Sequence, residues 1–210
     1  MRRRLERAPD DQGFTLIEML VVIAILLIVG GITTNAIVTG FESTRKGQDR
    51  IRGLSDLEKG IERIGRELRV ADPLLIDPDG NFDGCIGAEV FRDGKRFIIV
   101  YRLEVDPDDP STFDLVQDIE TYDDPDDTTP STTNVGLFID RIHSDALFTY
   151  FDQNGNPILG TDPQAYLTSA QVRINLVKQL FEQDPLAVTT VVNVRNARYG
   201  SDGLMTATCN

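Results

Sequence analysis

Tryptophan is absent from this 210-residue chain, and histidine occurs once, at His143. Cysteine occurs twice, at Cys85 and Cys209, so no Cys/His cluster has the spacing of a structural zinc site. A Gly-x-Ser-x-Gly elbow and a phosphate-cradling Walker loop are also missing. Asp140 and Asp145 flank His143 without making a triad, and the histidine reads as a strand-end residue. The chain is therefore read as no enzyme. Basic residues are the minority, 21 Lys and Arg against 34 Asp and Glu, for a formal charge of −13. Nucleic-acid binding needs a basic footprint, so no nucleic-acid partner is expected.

Charge is also scarce over residues 14–38, where Glu18 stands alone in an apolar run. About 25 residues at 1.5 Å each are enough to cross a ~30 Å hydrocarbon layer. The strictly apolar part, Met19–Ile32, is shorter, and Thr33, Thr34 and Asn35 follow it. An ionisable residue inside such a span is a functional candidate by default. Ahead of it, residues 1–13 carry Arg2, Arg3, Arg4 and Arg7 against Glu6, Asp10 and Asp11, with Pro9. This segment is short, polar and charged, and reads as a targeting leader. The basic residues before the span are matched after it by Arg45, Lys46, Arg50 and Arg52, so charge alone does not set the topology.

The run Gly13-Phe14-Thr15-Leu16-Ile17-Glu18 followed by an apolar helix resembles the class III signal sequence of type IV prepilins and type II secretion pseudopilins. The resemblance implies cleavage between Gly13 and Phe14 by a membrane prepilin peptidase and N-methylation of Phe14. Glycine before the cut suits a protease, because without Cβ the backbone can be approached closely. The resemblance further implies that Glu18 pairs with the N-terminal ammonium of a neighbouring subunit during assembly. An unpaired carboxylate in a low dielectric is costly, and an opposite charge offsets that cost. The implied partners are the membrane, the peptidase, other pilin-like subunits and the filament assembly platform. The implied location is the bacterial cytoplasmic membrane, with the C-terminal domain outside the cytoplasm, then the filament or cell surface after assembly. Major pilins of this kind often carry proline where Asn35 stands; here Gly30-Gly31 is the weak spot of the helix.

Two other readings stay open. Thr34-Asn35-Ala36 has the small-x-small form of an ordinary signal-peptidase site, which would release a secreted protein. A membrane-anchored or secreted binding module that does not polymerise would need no Glu18.

Beyond Gly40 the pattern becomes one-sided. Ile51, Leu54, Leu57, Ile61, Ile64 and Leu68 form an apolar helical stripe. Arg52, Glu58, Lys59, Glu62, Arg63, Arg66 and Glu67 lie off it, and Gly47, Gly53, Gly60 and Gly65 weaken the helix. Asp72-Pro73 ends it near Ala71. The chain thus divides into a leader (1–13), a transmembrane helix (14–38), an amphipathic continuation (39–72) and a β-rich globular domain (73–210). Strands are predicted over Ala88–Arg92, Arg96–Val105, Phe113–Thr121, Gly136–Ile142, Ala146–Asp152, Ala170–Leu180 and Val188–Ala197. Asp93-Gly94 and Asn154-Gly155 mark tight turns. In Val172–Lys178 the alternation puts Val172, Ile174, Leu176 and Val177 inside, with Arg173, Asn175 and Lys178 outside. The expected fold is α+β, a long N-terminal helix packed on an antiparallel sheet. That layout resembles the pilin fold, and the order of its later strands resembles the minor-pilin W or J-type pseudopilin group.

Three further features bear on sites. An oxidising compartment favours a Cys85–Cys209 disulfide, the alternatives being two buried free thiols or a tail thiol that pairs with nothing. Asp77, Asp79, Asn81 and Asp83 alternate like the first half of a calcium loop, though Ala88 stands where the last ligand would be. The alternative is a solvated turn with no cofactor at all. The acidic stretches Asp106–Pro110 and Tyr122–Pro130 read as disordered surface.

Overall fold

The computed structural model describes residues 15–71, 74–75, 82–144, 146–160, 162, 165–166, 169–181 and 183–194. Helix α1 (Leu16–Val70) is followed by strands β1 (Leu74–Leu75), β2 (Cys85–Arg92), β3 (Lys95–Val105) and β4 (Phe113–Tyr122). The remaining strands are β5 (Thr132–Ile142), β6 (Phe148–Phe151), β7 (Gln171–Lys178) and β8 (Leu186–Asn193). Long helix and antiparallel sheet are the expected α+β arrangement. Backbone contacts divide the chain at Gly47/Gln48, inside the helix.

In the first unit every described side chain of Leu16–Gly47 is exposed. The helix runs unbroken through Gly30-Gly31. The Thr33 and Thr34 hydroxyls donate to the Val29 and Gly30 carbonyls at 2.8 and 2.9 Å, so these polar groups are satisfied within the helix itself.

In the second unit the helix becomes one-sided, as its sequence pattern requires. The buried positions are Gly53, Leu57, Gly60, Ile61, Ile64, Gly65, Glu67 and Leu68. The stripe is therefore rotated from the expected one. Leu57, Ile61, Ile64 and Leu68 are inside, but Ile51 is 72% and Leu54 39% exposed. Glycines take their place. A Cβ on Gly60 would stand 2.5 Å from Ile139 Cδ1, and one on Gly53 3.0 Å from Leu180 Cδ2. A Cβ on Gly65 would meet Val192 at 3.2 Å. These glycines are points where the helix backbone approaches the sheet closely, and not merely weak points in the helix.

The sheet order is β1-β2-β3-β4-β5-β7-β6, with β8 also paired to β7, and every pairing is antiparallel. The β2–β3 turn has positive φ at both Asp93 (53°) and Gly94 (76°), the geometry expected of the Asp-Gly pair. The predicted strands all appear with shifted ends, and the two-residue β1 is added. Along β5 the register with β4 shifts twice, and Arg141 adopts φ 54° in the same stretch. These bulges leave β5 paired to β7 only at Ile142↔Lys178.

In β7 the buried row is Val172, Ile174, Leu176 and Lys178. Val177 is half-buried, and Lys178 takes the inside position instead, a correction to the expected alternation. Its ammonium donates to Asp140 Oδ1 at 2.5 Å and lies 3.7 Å from Asp56 Oδ2, so the buried cation is neutralised. Burial works against the Asp140 carboxylate, but the Lys178 hydrogen bond and charge outweigh it and hold Asp140 below its usual range.

Leucine at Gly60 should overpack the Ile139 contact and lower stability by about 1–3 kcal/mol. Gly47→Ala, with nothing within 4 Å of its Cβ, should instead gain up to ~1 kcal/mol of helix propensity. Denaturant unfolding of the detergent-solubilised chain measures both, and equal effects would show that Gly60 is not a contact point.

Candidate functional site

The described part of the helix head starts at Thr15. The Glu18 N–H donates to Thr15 Oγ1 at 3.3 Å and to the Thr15 carbonyl at 3.1 Å, and the Met19 N–H donates to the same carbonyl at 3.2 Å. Thr15 is thus the N-cap and Glu18 the third helical residue, the spacing of a capping box. The Thr-x-x-Glu signal is present in the sequence, overshadowed by the stronger pattern around it. A carboxylate in the first turn also opposes the positive end of the helix dipole, so Glu18 suits its position before any partner is considered. Gly13 and Phe14 lie outside the described residues.

Residues 9–34 match the family model of the prokaryotic N-terminal methylation motif. That motif is the class III signal peptide of type IV pilins and pseudopilins. No curated protein matches the chain. The match supports a type IV pilin-like protein, a structural subunit rather than an enzyme. It implies processing by a prepilin peptidase and assembly with other pilins. Among the described residues one helix, Leu16–Val70, is long and apolar enough to cross a membrane, which fits a membrane-anchored N-terminus.

The other predicted site residues are divided. Asp77, Asp79 and Asn81 lie outside the described residues. The Asp83 carbonyl accepts the Leu147 and Phe148 N–H groups at 2.7 and 3.0 Å, tying the turn before β2 to β6. Cys85 is fully buried at the start of β2 and is not a free thiol. Cys209 lies outside the described residues.

Two acidic loops expected to be disordered are instead built on their own carboxylates. Asp106 is buried, and its Oδ1 accepts the Asp108 and Asp109 N–H groups at 2.8 and 3.3 Å. Its Oδ2 accepts the Thr112 hydroxyl at 3.2 Å. In the second loop Asp124 Oδ1 accepts the Asp126 N–H at 3.0 Å, and Lys95 holds Asp123 at 2.5 Å. Aspartate supplies these turns with local acceptors, so a solvating composition folds.

One polar cluster has no counterpart in the sequence pattern. Glu67 sits inside the helix–sheet contact, where the Tyr101 hydroxyl donates to its Oε2. Gln117 Nε2 donates to the Tyr101 oxygen at 2.7 Å, and Arg63 Nε lies 3.4 Å from Glu67 Oε1. Spacing puts Glu67 off the apolar stripe; the distant strands β3 and β4 add Tyr101 and Gln117 to its helix neighbour Arg63, and together these make its burial tolerable. Burial, followed by the Glu67 carboxylate, pushes the Tyr101 phenol far above its usual range. Burial also raises Tyr150, with the Asp83 charge adding to it.

A phenol raised in the folded state contributes stability below its unfolded pKa of about 10 and loses it as pH rises. Urea midpoints should therefore fall above about pH 10, and the fall should be smaller in Tyr101→Phe. At neutral pH the same variant leaves Glu67 without its hydroxyl donor and should cost about 1–3 kcal/mol. A parallel pH profile for the two proteins would count against this role of Tyr101.

Proposed function

We propose that the chain is a minor pilin or pseudopilin subunit of a type IV pilus, DNA-uptake or type II secretion filament. The observation that carries this reading is the methylation-motif match over residues 9–34, with Glu18 in the first turn of an apolar helix. The chain is inserted by that helix in the cytoplasmic membrane, with the β-rich domain outside. The peptidase hydrolyses the Gly13–Phe14 bond, and the new α-amino group of Phe14 is methylated. Glu18 then neutralises the ammonium of an adjacent subunit, which fixes the axial stagger between neighbouring helices. Outside the cytoplasm Cys85 and Cys209 are oxidised to a disulfide.

Mass spectrometry of the membrane-extracted protein should find N-methyl-Phe14 as the first residue. A start at Ile37 would replace this reading with ordinary secretion. Glu18→Leu should insert normally, because it removes a charge from the span. Its incorporation into filaments should fall at least about tenfold, the ratio that ~1.4 kcal/mol of lost pairing gives. Undiminished co-purification of Glu18→Leu with filaments would sink the pairing mechanism and favour a module that does not polymerise.

A further inference from the structure

The bulge that turns β5 away from β7 leaves most of that strand with a neighbour on one side. β4 pairs along β5 from Thr132 to Ile142, while on the other side β7 reaches it at Ile142. The Gln179 N–H donates to the Arg141 carbonyl at 2.8 Å, and the Arg141 N–H donates to Asp114 Oδ1 at 3.3 Å, so the bulge is held in place. Among the described residues no strand lies along the open side of Thr132–Asp140. Every side chain from Thr132 to Leu137 is exposed, so this half of the strand is wet on both faces as well as along its edge. Gln117 faces the helix, because it binds Tyr101, which meets Glu67. Alternation then sends Val116 and Asp118, and their β5 partners Leu137 and Val135, to the opposite, outer face. Val135 and Leu137 stand side by side there at 63% and 62% exposure. Sheets ordinarily guard an edge with lysine, proline or an inward-pointing charge. Thr132–Ile139 carries neither a charge nor a proline.

We propose that the open edge of β5 is a docking site for an extended segment of another protein, which joins the sheet as an antiparallel strand. Hydrogen bonding sets the class of partner, since a row of peptide N–H and C=O groups is matched by another extended backbone. Every pairing in this sheet is antiparallel, and antiparallel ladders are slightly the stronger. Charge then sets the order of residues in the partner. Before Thr132 lies an exposed acidic loop with Asp123, Asp124, Asp126 and Asp127, of which Asp123 is paired with Lys95. At the Phe138 end the edge borders a groove of about 250 Å³ whose walls hold Lys59, Arg63 and Lys178 against Asp56 and Asp140. The two carboxylates neutralise Lys178. Lys59 is exposed, and Arg63, besides reaching Glu67, lies over the Phe138 ring at 5.4 Å from its centre. One end of the edge is therefore acidic and the other cationic. An antiparallel strand starts beside Phe138 and ends beside Thr132. The fitting segment has an acidic residue at its beginning, a basic residue at its end, and β-branched residues between them that cover Val135 and Leu137. A second β5 has the same order of charge, but the two-fold axis of such a joint stands perpendicular to the sheet. It would point the two Gln48 helix ends, from which both membrane anchors must leave, in opposite directions.

Two end-capped peptides of about ten residues test the edge on the full chain in lipid nanodiscs. Both have an alternating valine–threonine centre; one carries aspartate near its start and lysine near its end, the other the reverse. Fluorescence anisotropy should show the acid-first peptide binding at least about tenfold more tightly. Val135→Lys changes an exposed side chain and puts a guarding charge on the edge, so it should weaken the acid-first peptide at least about tenfold, with circular dichroism unchanged. N-methylation of alternate peptide amides along one side of that peptide should abolish binding, and methylation of the intervening amides should leave it. Equal binding of the two peptides, full binding to Val135→Lys, or indifference to both methylation patterns would overturn the proposal. Concentration-dependent disulfide cross-linking of Val135→Cys to a second copy would overturn it in favour of self-pairing. None of these readouts needs a filament, so a failure here leaves the subunit reading untouched.

Discussion

The closeness of helix to sheet is the constraint on which the second unit depends. Large side chains at every contact hold a helix backbone away from the sheet it covers, whereas glycine, without a Cβ, lets it come closer. Here Gly53, Gly60 and Gly65 let the backbone itself approach Leu180, Ile139 and Val192. The apolar residues between them, Leu57, Ile61, Ile64 and Leu68, then fill the spaces at either side and join one continuous core. The same closeness fixes what else must be true. Lys178 and Glu67 fall inside the contact, so each needs an opposite charge or a donor within reach, and Asp140 and Tyr101 supply them.

Much of this arrangement is legible in the amino-acid sequence, because periodicity is a local property. The change from an all-apolar helix to a one-sided one, the strand sequence and the Asp-Gly turn follow from neighbours within a few residues. What is not legible depends on residues far away in sequence. Glycine carries no hydrophobic signal, so the apolar pattern points through Ile51 and Leu54 where the buried stripe runs through glycines. Glu67 and Lys178 are polar by type and read as solvent-facing, yet Tyr101 and Asp140 bring them inside. The Asp106 and Asp124 loops depart from expectation for a different reason. Their composition resembles disorder, but aspartate side chains also close turns on their own backbone, and composition does not separate the two.

The head of the helix shows two demands met by one residue type. Threonine before the first turn and glutamate three residues later form a helix start that needs no partner. The assembly role proposed for Glu18 asks for a carboxylate in the same place. The two demands do not compete, since capping uses the Glu18 backbone N–H and the Thr15 oxygens and leaves the Glu18 carboxylate unspent. That division matters physically. The helix end is ordered by contacts within a single subunit, so the carboxylate is already held near the start of the helix before a neighbour arrives. The entropy of fixing its backbone is not charged to assembly.

The same reasoning connects the two faces of the sheet. A domain in which acids far outnumber basic residues gains nothing from burying more carboxylates, yet Glu89 is buried on the outer face. Arg96 stands 3.8 Å from it and also stacks over Tyr122 at 4.1 Å, so the cation is positioned by an aromatic ring rather than by the carboxylate alone. Arg102 similarly binds Asp118 at 2.8 Å as well as Glu104. Acids on β2, β3 and β4 are thus each paired with an arginine of β3. Arginine's planar, multiply donating head allows one cation to serve two acids in this way, which a lysine ammonium does less well. Glu89 is thereby buried beside a cation, which is the condition that makes its burial tolerable.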